Sequence, residues 1–235
     1  MLGQLATDIK SNEITAIPLL LNMLDIQGST ITIDATGCQK EIAKKIRESD
    51  GDYILSLKGN QGNLHAEVDN FFNQVIQVVP KEANCDYHVS EEKNRGRYEK
   101  REIWSTQDLD WLPQKEEWID LNALICIKST RSVKGKTSEE MRYYIASRKT
   151  DAKTYGSEIH LHWGIENKVH WQLDVSYGED KSKVRKDNGP ENLSVLKRCI
   201  MNLLKADTKT KAGIKNKRAK AGWSKDYMIS LLNGK

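Results

Sequence analysis

Between Thr30 and Val79 the chain alternates two short strand-like runs with two amphipathic stretches, and that alternation limits the fold more than any other feature. TITIDA, Thr30 to Ala35, is β-branched and reads as a buried strand. Gln39 to Ser49 follows as a helix with Ile42 and Ile46 inward. Asp52 to Lys58, containing YILSLK, reads as a second strand. Asn63 to Val79 then sets Leu64, Val68, Phe71, Phe72 and Val75 on one helical face. Strand, helix, strand, helix is the pattern of an α/β sheet. Ahead of it, Ile14, Ile17, Leu21 and Leu24 recur at helical spacing. Ser11 or Asn12 can cap that helix, Pro18 should kink it or sit in its first turn, and Gly28 ends the unit.

From Cys85 to Lys149 the pattern turns to strand. RGRYEKREIW alternates, with Tyr98 and Trp104 on one face. Leu121–Thr130 and Met141–Ser147 are two more strand candidates. Lys134-Gly135 is the turn that makes them a hairpin. The segment reads as a β-rich insertion in the α/β domain. Thr150 to Leu173 returns to helix. Asn188-Gly189-Pro190 stops one element and starts another, with Pro190 suited to the first helical position. Leu193, Leu196, Ile200 and Leu203 form the stripe of that next helix. Ser224 can cap a last short helix holding Tyr227, Met228, Leu231 and Leu232.

Charge is distributed unevenly. Residues 1–180 carry 22 Lys and Arg against 29 Asp and Glu, a balance of −7; residues 181–235 carry 15 against 4, a balance of +11. A basic end on an acidic body points to a polyanion partner, with nucleic acid the leading candidate; the plainer alternative is a solvated helical face. No apolar run of about 18 residues is present, so no transmembrane helix is expected. Met1 opens no signal-peptide pattern. Cys38, Cys85, Cys126 and Cys199 form no C-x-x-C, which argues for reduced thiols in the cytoplasm rather than disulfides or a cysteine zinc site.

The candidate chemistry gathers in His162–Asp180, HWGIENKVHWQLDVSYGED. In a helix, His162, Glu166 and His170 share one face, while Ile159, Trp163 and Val169 beside them give the helix an apolar side. Such a carboxylate is a candidate metal ligand or general base; a buried Glu paired with a neighbouring His fits the same spacing. The three residues could instead hold zinc, although the order is not H-E-x-x-H. Asp34, at the carboxyl end of the first strand, is placed where open α/β sheets gather ligand groups, but an Asp there is also an ordinary helix cap. Trp163, Trp171 and Trp223 could stack on bases or lie in the core.

Five stretches carry a resemblance: SNEITAIP at Ser11–Pro18, TIDATGCQKEIA at Thr32–Ala43, LKGNQ at Leu57–Gln61, HWGIEN with the following HW, LDV and ED, and NLLKAD at Asn202–Asp207 with its basic tail. In this order they resemble the insertion-sequence transposases that include the H-repeat-associated proteins. Those are DDE enzymes of the ribonuclease-H-like superfamily. The resemblance implies an α/β ribonuclease-H-like transposase catalytic domain that lacks its first strands, with a β-rich insertion and a helical basic C-terminal tail. Its parts would be core residues 1–84, insertion 85–149, core 150–207 with the acidic helix, and tail 208–235. Asp34 matches the family's second catalytic Asp and Glu166 its Glu, both as ligands of a two-metal site for Mg²⁺, with Mn²⁺ as a substitute. The family's first Asp has no match. This implies an impaired metal site and a truncated copy that does not transpose DNA on its own; a DNA-binding remnant without catalysis is the other reading. His160 stands where relatives usually have Arg. Expected DNA contacts are Lys58, Asn60, Gln61, His160, His162 and Asn167, then Lys183, Arg185, Lys215, Lys217 and Arg218. The implied partner is double-stranded DNA, element ends and target, in a bacterial-type cytoplasm. The resemblance leaves room for a homo-oligomer.

Overall fold

A computed structural model describes residues 5, 13–76, 84–94, 96–165 and 171–234. The chain divides into two compact units, Thr7–His162, and Trp163–Lys235 with Met1–Ala6.

The first unit is built on one sheet. Its elements run α1 (Glu13–Asn22), β1 (Thr30–Ile33), α2 (Lys40–Glu48), β2 (Asp52–Leu57) and α3 (Gly62–Val75). They continue with β3 (Asp86–Asn94), β4 (Arg97–Thr106), β5 (Ala123–Val133), β6 (Lys136–Ala146) and α4 (Ala152–Ile165), of which the part through His162 belongs here. β1 and β2 pair in parallel, Thr30 opposite Asp52 through Ile33 opposite Leu55. A parallel pair needs a crossover, and α2 supplies it. The other pairings are antiparallel, and the order is β1-β2-β6-β5-β4-β3. The β-rich stretch therefore makes no sheet of its own: β6 docks on β2, Ile54 opposite Ala146 through Leu57 opposite Tyr143, and the other strands follow outward. The expected hairpin turn is present. Lys134 and Gly135 both take positive φ, +50° and +78°, as a tight two-residue hairpin turn requires.

Period-two alternation decides what each face buries. On one face Leu55, Leu57, Tyr143, Ile145, Leu124, Cys126 and Trp104 pack in one cluster with Leu21 of α1, Ile42 and Ile46 of α2, and Val68 and Phe72 of α3. Leu109, Leu112, Trp118 and Leu121, between β4 and β5, close the cluster. Truncating a leucine in such a core costs about 2–5 kcal/mol. The opposite face, with Ile103 and Ile125, is covered by α4, whose Ala152, Tyr155 and Ile159 are buried. Gly156 lets that helix come close: a Cβ there would stand 3.1 Å from Cγ1 of Ile103.

One strand differs from its sequence reading. β1 is not buried; all four residues are half-exposed, because among the described residues it has one neighbour, β2. Pro18 lies inside α1 rather than at its start. The expected cap residues Ser11 and Asn12, and the end of the third helix at residues 77–79, lie outside the described residues.

The second unit contains α5 (Trp171–Tyr177), α6 (Gly189–Ala206), α7 (Ile214–Trp223) and α8 (Lys225–Leu232). Pro190 sits in the first turn of α6, and the Ser224 hydroxyl accepts from the Tyr227 amide to cap α8, both as expected. The stripe read on α6 is not its inward face. Leu196 and Ile200 are 57% and 43% exposed, whereas Met201 and Leu204 are buried, so the buried face is rotated from the most apolar one.

Lys217 requires the larger correction. Its place in the basic tail predicts a DNA contact, yet it is buried, and its ammonium donates to the carbonyls of Leu204 (3.2 Å) and Asp207 at the end of α6. A cation there satisfies the open carbonyls of a helix C-terminus. Asp207 completes the joint. Oδ2 accepts from the Tyr227 hydroxyl at 2.7 Å, and Oδ1 accepts from the amides of Lys209 and Thr210 at 3.0 and 3.1 Å. One residue thus ties α6, the α6–α7 loop and α8.

All four cysteines are free thiols. Burial pushes the Cys38 thiol up to about 12 and the Cys85 thiol to about 11, which removes both as nucleophiles at neutral pH.

The Tyr227 hydroxyl and the Thr210 amide hold the Asp207 carboxylate well below the ordinary carboxylate range. Its stabilising contribution is present above the unfolded value of about 4 and is lost as pH falls from there toward the folded value. Asp207→Asn should lower the thermal midpoint of the second unit at pH 7, and the gap from the parent should shrink once pH drops below about 4. Melting curves across pH check this; a gap independent of pH contradicts it.

Candidate active site

Asp34 follows β1 directly, in extended backbone (φ −70°, ψ 179°). Its Oδ1 accepts from the amides of Thr36 and Gly37 at 3.1 and 3.4 Å and so caps the 3₁₀ turn Ala35–Gly37. The plain cap reading is thus correct as geometry. It does not preclude a ligand role: both bonds go to one oxygen and the residue is exposed. A carboxylate fixed through one oxygen keeps a hard oxygen donor at a set position, the kind Mg²⁺ prefers.

Two amides hold the loop behind it. Asn60 Nδ2 donates to the Ala35 carbonyl at 2.7 Å, and Gln61 Nε2 donates to the Cys38 carbonyl at 2.9 Å. Both come from the turn after β2. The parallel register sets the ends of β1 and β2 side by side, so the turn after one strand can reach the loop after the other. These residues were expected to donate to DNA. Each spends one of its two side-chain N–H groups on bracing the Asp34 loop, and Gly37 beneath it is packed so closely that a Cβ would stand 2.3 Å from Cγ2 of Ile33. Lys58, which begins that turn, is exposed.

His162 is half-buried and shares a 2.9 Å hydrogen bond with the Thr32 hydroxyl through Nδ1, the donor being set by the ring tautomer. The sequence offered no reason to single out Thr32. It lies two residues before Asp34, so its side chain shares that side of the strand. His162 accordingly ties α4 to β1, which engages one of its ring nitrogens. His160 is exposed. Glu166, Asn167, Val169 and His170 lie outside the described residues. Among the described residues no group of three or more His, Cys, Asp or Glu could hold a metal ion. Of the two expected carboxylate ligands, Asp34 is the one whose surroundings are described.

In the second unit, Lys183, Arg185, Lys215 and Arg218 are exposed. Arg218 lies 5.1 Å from the Tyr177 ring centroid, which positions its guanidinium. Trp171 and Trp223 are 53% and 88% exposed, so the core reading fails for both; Trp163 is half-buried. No helix among the described residues is long and apolar enough to cross a membrane.

Comparison with known proteins gives the family. The family model described as "Transposase DDE domain" matches residues 1–203. The chain is 41% identical to the H repeat-associated putative transposase YhhI of Escherichia coli K12, over all of this chain and 62% of that protein. It is equally similar to the putative protein YbfL of the same strain, with the same coverage. It is also 41% identical to the putative transposase YncI of Escherichia coli O157:H7, over 99% of this chain and 60% of that one. The chain thus spans about three-fifths of the length of these curated relatives. With its mixed α/β sheet and a family match over most of its length, the chain belongs to the transposase DDE domain family.

Proposed function

We propose that the chain is the catalytic part of a DNA transposase in which Asp34 and Glu166 hold divalent metal for phosphodiester cleavage and strand transfer. The carrying observation is the placement of Asp34: an exposed carboxylate fixed at the end of β1, inside the family match. The His162–Thr32 bond adds support, since it sets α4 on β1 two residues before Asp34, and Glu166 is four positions after His162 in sequence. The names of the relatives point to the same activity.

The donor chemistry suits Mg²⁺, or Mn²⁺ in its place, because both residues offer carboxylate oxygen. A pair of such ions supplies positive charge at the attacking and leaving oxygens of a phosphodiester. The chain's own contribution is to hold Asp34 still. Asn60 and Gln61 fix the loop, Thr36 and Gly37 fix the carboxylate, and His162 fixes the neighbouring helix. Preorganised charge of this kind is usually the largest single contribution to catalysis. Duplex DNA is the proposed substrate, with Lys183, Arg185, Lys215 and Arg218 gripping phosphates; Lys217 is withdrawn from that set because it is buried.

The metal reading is tested by calorimetric titration of the chain with Mn²⁺. Asp34→Asn and Glu166→Gln should each weaken binding by at least about tenfold, a loss of about 1.4 kcal/mol. Tight zinc binding that ignores Asp34 and depends on His162 and His170 would instead establish the zinc alternative.

The grip on phosphate is tested by fluorescence anisotropy with a duplex across a salt series. Lys215→Gln with Arg218→Gln should lower the slope of log affinity on log salt by about 0.9 per lost contact. Lys217→Gln should leave the slope unchanged while lowering the thermal midpoint. A slope that responds to Lys217 contradicts the assignment.

A further inference from the structure

The sheet of the first unit ends in a second basic surface, far in sequence from the basic helices. Residues 93–97 and 131–137 hold six Lys and Arg and no acid, although residues 1–180 as a whole are acidic. The described residues of these stretches, Lys93, Asn94, Gly96 and Arg97 with 131–137, form the tips of the β3–β4 and β5–β6 hairpins. The register aligns them: Asn94 pairs with Arg97, Arg97 with Val133, and Val133 with Lys136, so one row crosses four strands. Both hairpins therefore end at the same level. Four strands at about 4.8 Å spacing make that end roughly 15 Å wide.

The charges at this end are not consumed by the sheet. Further from the tips, Lys100 pairs with Glu102, Lys128 with Glu139, Arg142 with Glu140 and Arg101 with Glu99. At the tips, Arg97 shares Glu99 with Arg101, while Lys93, Lys134 and Lys136 have no carboxylate partner among the described residues. Lys93 is steadied instead by Tyr98, its cross-strand neighbour, with the ammonium 5.7 Å from the ring centroid. Between Lys93, Arg97, Tyr98, Ser132 and Lys134 lies an open hollow of about 390 Å³. Gly96 and Gly135 line it with positive φ and no atom within 4 Å of a would-be Cβ, so the backbone there is open to close approach.

We propose that these paired hairpin tips form a second DNA-backbone site, separate from the basic helices, that takes consecutive phosphates of one strand of a duplex. Phosphates of one strand advance 3.4 Å or so along the axis while winding around it, so a tip about 15 Å wide faces about two of them at a time. Five described cations stand at that end: Lys93 on the face it shares with Tyr98 and Ser132, Arg97, Arg131 and Lys136 on the other, and Lys134 in the β5–β6 turn. Cations beside open backbone suit contacts to phosphate oxygens, which position the duplex without regard to sequence. The proposal rests on the reading that the chain binds DNA and adds where on the sheet it does so.

The test uses the whole chain and a random-sequence duplex, with anisotropy measured from about 50 to about 200 mM salt. Lys93→Gln with Lys134→Gln, which leaves the Arg97–Glu99 pair intact, should lower the salt slope by about two and keep the parent's melting curve. Combining it with Lys215→Gln and Arg218→Gln should add the two losses. Photocrosslinking of the unaltered chain to bromouracil-substituted duplex should label residues 93–97 or 131–137. An unchanged slope together with crosslinks confined to residues 171–235 overturns the tip site and leaves DNA binding standing. A parent chain that binds no duplex overturns both. Inorganic tripolyphosphate that displaces the duplex at equal phosphate concentration shows a small-anion pocket and overturns the duplex assignment.

Discussion

Four residue pairs join β2 to β6, and the organisation of the sheet unit depends on that short antiparallel ladder. On one side lies the parallel β1–α2–β2 unit that presents Asp34; on the other lies the meander of β3 to β6. Leu55, Leu57, Tyr143 and Ile145 are buried on one face of the seam, and Ile54, Tyr144 and Ala146 on the other. Neither half could leave this seam open: each central strand would expose apolar side chains and unpaired backbone groups together. The seam also fixes the end of β2, and hence the turn whose amides hold the Asp34 loop.

Backbone pattern was legible where it was local. TITIDA and YILSLK are strands, the stretches after them are helices, and Lys134-Gly135 is the hairpin turn, because β-branched runs, helical stripes and turn residues act over a few positions. Partner choice was not legible. That β6 returns to β2 is a contact across about 90 residues, and no short-range pattern encodes it. The half-exposure of β1 has the same origin, since burial depends on neighbours and not on the strand's own residues.

Side-chain roles divided in the same way. Asp34 could be read as a cap or as a ligand, and the geometry shows a cap made through one oxygen while the residue stays exposed. Asn60 and Gln61 were recognisable as donors, but their acceptors are loop carbonyls more than 20 positions away. Lys217 sits in a run of lysines that composition reads as one solvated, phosphate-seeking group; only the helix end beside it sets it apart. Trp223 could be read as stacking or as core, and it is 88% exposed.

The central claim is that Asp34 and Glu166 serve one metal site. Metal-directed cleavage tests it most directly: Mg²⁺ is replaced by Fe²⁺, ascorbate is added, and the cut positions are mapped by mass spectrometry. The account predicts two clusters of cuts, around residue 34 and around residue 166, both lost in Asp34→Asn. Cuts at only one of these places, or cuts around residue 166 that persist in Asp34→Asn, would contradict it.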